Sequence, residues 1–287
     1  MSILQAIILG LIQGLTEFIP VSSTAHLTLA GKWMNLVDPQ HPDQWTAFIA
    51  VIQLGTLIAV IVFFWTDIIN IIVGFVTANV AKLSGRPVGA TQKEYAKLGW
   101  LIIIGTLPVA VVGLLFRHQI EGVLTKDLRV IAASLIGLAI LLTVAEIVGT
   151  QKRDMKHLTV ADAIIVGVAQ VFALVPGSSR SGSTITGGLF SGLKRETAAR
   201  FSFLLSIPAI AASGLLELKE AVEKLPAGSY GSLAVATVVS GVVGYASIWF
   251  LLRYLRTHST SIFIVYRVIV GVLILVALSL GYMSASI

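Results

Sequence analysis

The sequence contains no cysteine, which excludes disulfides, thiol catalysis and Cys-ligated zinc or iron–sulfur centres. Charge is also scarce. Asp, Glu, Lys and Arg make up 12% of the chain, about half the share of an average soluble domain. A soluble surface this poor in charge would expose apolar patches that soluble monomers do not tolerate, and a bilayer removes that difficulty. Neither a Gly-x-x-x-x-Gly-Lys loop nor a His-Glu-x-x-His helix is present. The net charge of +6, from 20 Lys and Arg against 14 Asp and Glu, marks cytoplasmic loops in so apolar a chain rather than a nucleic-acid surface.

What is present is apolar: 56% of the 287 residues are hydrophobic. About 20 helical residues cross a hydrocarbon core of about 30 Å. Six runs are long enough: 45–65, 98–116, 130–148, 201–216, 231–252 and 262–282. A seventh, 68–80, is too short to span comfortably and reads as interfacial or as an extension of the first span. The first twenty residues do not read as a signal peptide, because no Lys or Arg precedes the apolar run and Gln13 and Glu17 lie inside it.

Two further apolar regions, 3–34 and 161–193, are each broken by a cluster of Pro, Gly and Ser. Broken helices are tolerated at membrane depth where irregular backbone is buried in protein or lines a wet cavity, so both regions read as re-entrant hairpins. They also resemble one another. At an offset of 157, Ala6, Ile7, Ile8, Gly10 and Gln13 meet Ala163, Ile164, Ile165, Gly167 and Gln170. After a one-residue slip, Pro20, Ser22, Ser23, Thr28 and Gly31 meet Pro176, Ser178, Ser179, Thr184 and Gly187. In that register Arg180 falls opposite Thr24.

The expected fold is therefore an all-α polytopic membrane protein, residues 1–287 forming one integral membrane domain. It has about six transmembrane helices plus two re-entrant helical hairpins. The repeats cover about 1–150 and 158–287, and three spans per half turn the second copy upside down, an inverted-topology repeat whose site lies where the broken helices meet. Loops after the odd-numbered spans hold Lys82, Arg86, Lys93, Lys97, Lys152, Arg153, Lys156, Lys194, Arg195, Arg253 and Arg256. The opposite side holds Lys32, Arg117, Lys126, Arg129, Lys219 and Lys224, so the first set reads as cytoplasmic with both termini outside.

The first break reads Gln13-Gly-Leu-Thr-Glu17-Phe-Ile-Pro20-Val-Ser22-Ser23-Thr24-Ala-His26. Gln13 and Glu17, four apart, share a helix face. Pro20 ends that helix, and Ser22 and Ser23 suit the N-cap of the next, whose first turn attracts anions. His26 can face Ser23 as base to nucleophile; the plainer alternative is two capping serines and a packed histidine. The second break carries Pro176-Gly177-Ser178-Ser179-Arg180-Ser181-Gly182-Ser183-Thr184. Arg180 offers a planar fork to phosphate oxygens, or pairs structurally with Glu17. Gln53, Glu146, Arg200 and Arg267 lie in or at the ends of apolar runs and read as structural pairs.

These two motifs resemble those of the undecaprenyl-diphosphatase (bacitracin-resistance) family of bacterial integral membrane proteins: Glu/Gln-x-x-x-Glu leading into Pro-Val-Ser-Ser-Thr-x-His, and Pro-Gly-x-Ser-Arg-Ser-Gly-x-Thr. Similar stretches at Val51–Gly55, Phe201–Leu205 and Tyr266-Arg267 extend the likeness over nearly the whole chain. The resemblance implies hydrolysis of undecaprenyl diphosphate to undecaprenyl phosphate and inorganic phosphate. That reaction recycles the lipid carrier of peptidoglycan synthesis, in a bacterial plasma membrane, from a site opening to the outer face. It implies Ser23 as nucleophile, His26 as its proton partner, and Glu17 and Gln13 as ligands of a divalent cation, Mg²⁺ or Ca²⁺. Arg180 joins the catalytic set, with Ser22, Thr24, Gly177, Ser178, Ser179, Ser181 and Thr184 binding substrate. The other partners are the bilayer and, as one arrangement, a second copy in a homodimer. A lipid-phosphate flippase or transporter is the competing reading, since inverted repeats with broken helices also build transporters.

Overall fold

The computed structural model describes residues 1–37, 42–116, 127–224 and 227–285, less the side chains of 42, 43, 216, 217, 219–224 and 227. Among these residues the fold is helical: α1 (Ile3–Phe18), α2 (Ser23–Trp33), α3 (Pro42–Phe63), α4 (Trp65–Leu83), α5 (Ala90–Leu115), α6 (Leu128–Val148), α7 (Val160–Val171), α8 (Arg180–Phe190), α9 (Arg195–Lys224), α10 (Tyr230–Leu255) and α11 (Ser261–Ser279). Seven of them, α3 to α6 and α9 to α11, are long and apolar enough to cross a membrane. The run 68–80, read as too short, is the middle of α4, a 19-residue helix that extends three residues further at each end. It follows α3 after a single residue, yet packs along α5, with Gly74 against Tyr95 and Phe75 against Gly99, rather than back along α3. Arg117, His118 and Lys126 lie outside the described residues.

The two broken regions share one local design at a constant offset of 157. Ser2 and Thr159 each cap a helix through a reciprocal capping box with Gln5 and Asp162. Ser22 and Ser179 each cap the second helix, with φ 76 and 66, in a backbone region that non-glycine residues sparsely populate. Both second helices run 11 residues. The one-residue slip read from the Pro-x-Ser-Ser match is therefore corrected: Ser22 matches Ser179, and Ser23 matches Arg180. Identical serines had mimicked a register that the capping geometry does not keep.

Without a hydrophobic drive between helices in lipid, close packing needs small residues. Gly10 brings α1 onto α10, where a Cβ would lie 2.6 Å from the Ala236 carbonyl. Its counterpart Gly167 brings α7 onto α5, where a Cβ would lie 2.4 Å from the Gly105 carbonyl. Beyond the helices, polar contacts gather the basic loops at one end. Arg195 Nε meets Glu146 at 2.9 Å, Arg200 meets Asp67 at 3.0 Å, Arg256 meets Glu196 at 2.9 Å, and Lys97 Nζ donates to the Lys156 carbonyl. The structural-pair reading holds for Arg200 and Glu146. Lys32, expected on the opposite side, donates to the Ser284 carbonyl instead.

Gly167→Leu is expected to lower stability by about 1–3 kcal/mol through overpacking, read as thermal unfolding in detergent. Gly113→Leu, at a position where a Cβ meets nothing within 4 Å, should leave the unfolding temperature nearly unchanged.

Candidate active site

The chain leaves helical geometry at Ile19, extended before Pro20, and re-enters it at Ser23. A turn inside the protein strands carbonyls that need donors. One buried cation supplies them. The Arg267 guanidinium, 0% exposed, donates to Pro20 O at 3.1 Å in the first break and to Gly177 O at 3.1 Å and Ser178 O at 3.2 Å in the second. It also donates to Ser134 O at 3.3 Å and Leu135 O at 3.2 Å on α6. The expectation of a structural pair is corrected here: among the described residues Arg267 meets no carboxylate, and main-chain dipoles take its charge.

Held this way, the two breaks touch. The Ser181 hydroxyl donates to Ile19 O at 3.4 Å, and Arg180 on α8 forms an ion pair with Glu17 on α1. Glu17, 6% exposed, also accepts at Oε2 from Gln13 Nε2 (2.9 Å) and from the Ser23 hydroxyl (2.8 Å). A hydroxyl, a carboxylate and a guanidinium are thus linked in one chain of hydrogen bonds drawn from both halves.

His26 does not join it. Its Nδ1 lies 2.7 Å from Ser22 O, its Nε2 lies 2.7 Å from the Tyr266 hydroxyl, and its ring stacks on Tyr266. The hydrogen bond expected between His26 and Ser23 is not made, because Ser23 donates to Glu17 and both ring nitrogens of His26 are engaged by Ser22 O and the Tyr266 hydroxyl. A side chain from another helix, not spacing along α2, decides the partner.

Glu17, Ser22, Ser23, Thr24, Gly177, Ser179 and Arg180 line a cavity of about 460 Å³. The N-termini of α2 and α8 both border it, so unpaired amides and two positive dipole ends face one space, as an anion requires. Other expected residues are placed elsewhere. Gln13 is buried behind Glu17, and Ser178 and Ser181 are buried at the turn. Thr184 is 0% exposed and spends its hydroxyl on Arg180 O and Ser202, so it supports α8 and does not border the cavity. The rest of the wall comes from residues the motifs did not mark: Gln53, Thr106 and Gln170, with Val109, Ala110, Gly113 and Leu114 of α5 and Pro208, Ala209 and Ala212 of α9. Gln170 carried a signal in its match to Gln13, and Gln53 in the Val51–Gly55 stretch of the resemblance; Gln53, read as a structural pair, lies in the cavity wall instead.

Arg267→Met is expected to cost at least about 3 kcal/mol, since each buried carbonyl left without a donor costs about 1–3 kcal/mol. The check is thermal unfolding in detergent, with Arg256→Met at the rim as the mild control.

Residues 6–273 match the family described as bacitracin resistance protein BacA. A protein of Syntrophobacter fumaroxidans named undecaprenyl-diphosphatase is 57% identical over 271 residues, covering 94% of this chain and 95% of that one. Proteins of the same name from Chlorobaculum tepidum and Chlorobium limicola are 48% and 47% identical, covering 99% and 100% of both chains. With its two breaks joined at one cavity and its likeness running nearly end to end, this chain belongs to the bacitracin resistance protein BacA family.

Proposed function

We propose that the protein hydrolyses undecaprenyl diphosphate to undecaprenyl phosphate and inorganic phosphate in a bacterial plasma membrane, recycling the lipid carrier of cell-wall synthesis. The observation that carries the mechanism is the Ser23–Glu17–Arg180 chain at the cavity wall. A flippase needs anion ligands but no hydroxyl hydrogen-bonded to a buried carboxylate, which favours catalysis. The apolar side chains of α5 and α9 along the same cavity suit the first isoprene units of the lipid.

Arg180 exchanges Glu17 for the terminal phosphoryl group, which sits at the N-termini of α2 and α8. Released from that pair, Glu17 takes the Ser23 proton as the hydroxyl oxygen attacks phosphorus. The bond from phosphorus to the bridging oxygen breaks, and undecaprenyl phosphate leaves with that oxygen. Water then attacks the phosphoserine, the bond from phosphorus to the Ser23 oxygen breaks, that oxygen takes back the proton held by Glu17, and inorganic phosphate departs with the protons of the water. Stabilisation of phosphoryl charge by Arg180 and the helix ends does most of the work in such a transfer. His26, anchored on Ser22 O and Tyr266, acts as a positioning residue for the α2 N-terminus.

A divalent cation fits this wall in part. Gln13 Oε1 is buried beside Glu17 without a partner among the described residues, and Mg²⁺ is commonly held by one or two carboxylates completed by substrate phosphate oxygens. Gln13 and Glu17 would hold it, and it would supply further neutralisation of phosphate charge.

The constant offset of 157 and the matched packing of α1 on α10 and α7 on α5 support an inverted repeat of re-entrant hairpins. That arrangement needs an odd number of crossings between the copies, so α4 lies along the interface beside α5 or extends α3, leaving α3, α5 and α6 to cross. The basic end then faces the cytoplasm, both termini lie outside, and the site opens outward.

Two outcomes test this. Ser23→Ala should lower phosphate release from undecaprenyl diphosphate by purified protein at least about a thousandfold, while Ser22→Ala and Ser179→Ala, at matched caps, cost about 0.5–2 kcal/mol of stability and retain a measurable rate. Equal losses at all three serines would remove Ser23 as nucleophile. A reporter joined to the C-terminus should be exported; cytoplasmic activity of that fusion would reverse the orientation.

A further inference from the structure

Gln170 sits on α7 in the cavity wall, 0% exposed, and among the described residues neither its Nε2 nor its Oε1 has a hydrogen-bond partner. A buried amide left without partners is destabilising, so such a residue needs an explanation. The second copy supplies one. Gln170 stands where Gln13 stands in the first, 157 positions on, but Gln13 donates to Glu17 and the position matching Glu17 holds Leu174. Divergence removed the carboxylate and kept the amide, which now borders the same cavity as Ser23 and Arg180.

Ser23, Glu17 and Arg180 form one linked group at the cavity wall, which the hydrolase reading gives to the reacting phosphoryl group. A diphosphate brings a second, attached to the lipid, whose tail follows the apolar wall of α5 and α9. Gln53, Thr106, Gln170 and Ser213 are the polar wall residues outside the first phosphoryl site, and of these Gln170 is the one whose buried amide has no partner among the described residues. Resting on the hydrolase reading, we propose that Gln170 binds the phosphate that stays on the lipid, its amide donating to a non-bridging oxygen of that group. A neutral donor suits this place, because a second cation would also hold the lipid monophosphate product tightly and slow its release.

Gln170→Leu keeps the volume and removes both polar atoms. KM for undecaprenyl diphosphate and the inhibition constant of undecaprenyl phosphate should each rise about tenfold, the size of one hydrogen bond to a charged group. The inhibition constant of inorganic phosphate, which occupies the Arg180 end, should stay within about twofold, kcat should change little, and the unfolding temperature should hold or rise. Equal weakening of inorganic phosphate would move Gln170 to the reacting phosphoryl group, and unchanged KM or a lowered unfolding temperature would make it structural; each overturns the proposal. Failure of the parent protein to release phosphate from the lipid diphosphate would instead sink the hydrolase reading.

Discussion

The cavity depends on one buried guanidinium. Arg267 carries a positive charge into the protein interior with no acidic partner among the described residues, and it can do so because five main-chain carbonyls surround it. Three of those carbonyls belong to the two helix breaks, where the chain has left the α-helix and its acceptors would otherwise go unmatched. The same contact therefore satisfies both sides: the carbonyls need a donor, the cation needs negative dipole ends, and neither can find water at that depth. By fastening both breaks to α6, it fixes how the helix ends that follow them face one another.

Once the breaks are fastened, the polarity of the cavity wall follows from backbone physics. Each break ends at a serine N-cap in a left-handed backbone conformation, and each begins a short helix whose first amides have no partner within it. Two such ends bordering one cavity concentrate positive potential without placing more than one cation there. Glu17 neutralises that cation and accepts from Ser23. Neither break is sufficient alone, because one supplies hydroxyl and carboxylate and the other supplies guanidinium.

The shared offset of 157 makes the differences between the two breaks readable. At corresponding positions Ser23 faces Arg180, Glu17 faces Leu174, and Gln13 faces Gln170, with the capping serines retained. The capping geometry is common to both breaks, whereas the hydroxyl and carboxylate lie in one and the guanidinium in the other.

Periodicity, length and composition by themselves determined the helical class, the six apolar runs, the two breaks and the motifs within them, because hydrophobic burial and Pro, Gly and Ser backbone preferences are local properties. Glu17 beside Gln13 was legible for the same reason, being one helical turn away. The tertiary structure alone decided which side chain Ser23 meets, that His26 turns to Tyr266, that Arg267 is held by carbonyls, and that the copies align without a slip. Those outcomes join residues as far apart as 17 and 180 or 20 and 267. No sequence spacing encodes a distance between helices, which is set by how closely glycine-bearing faces pack and by where a buried charge finds its acceptors.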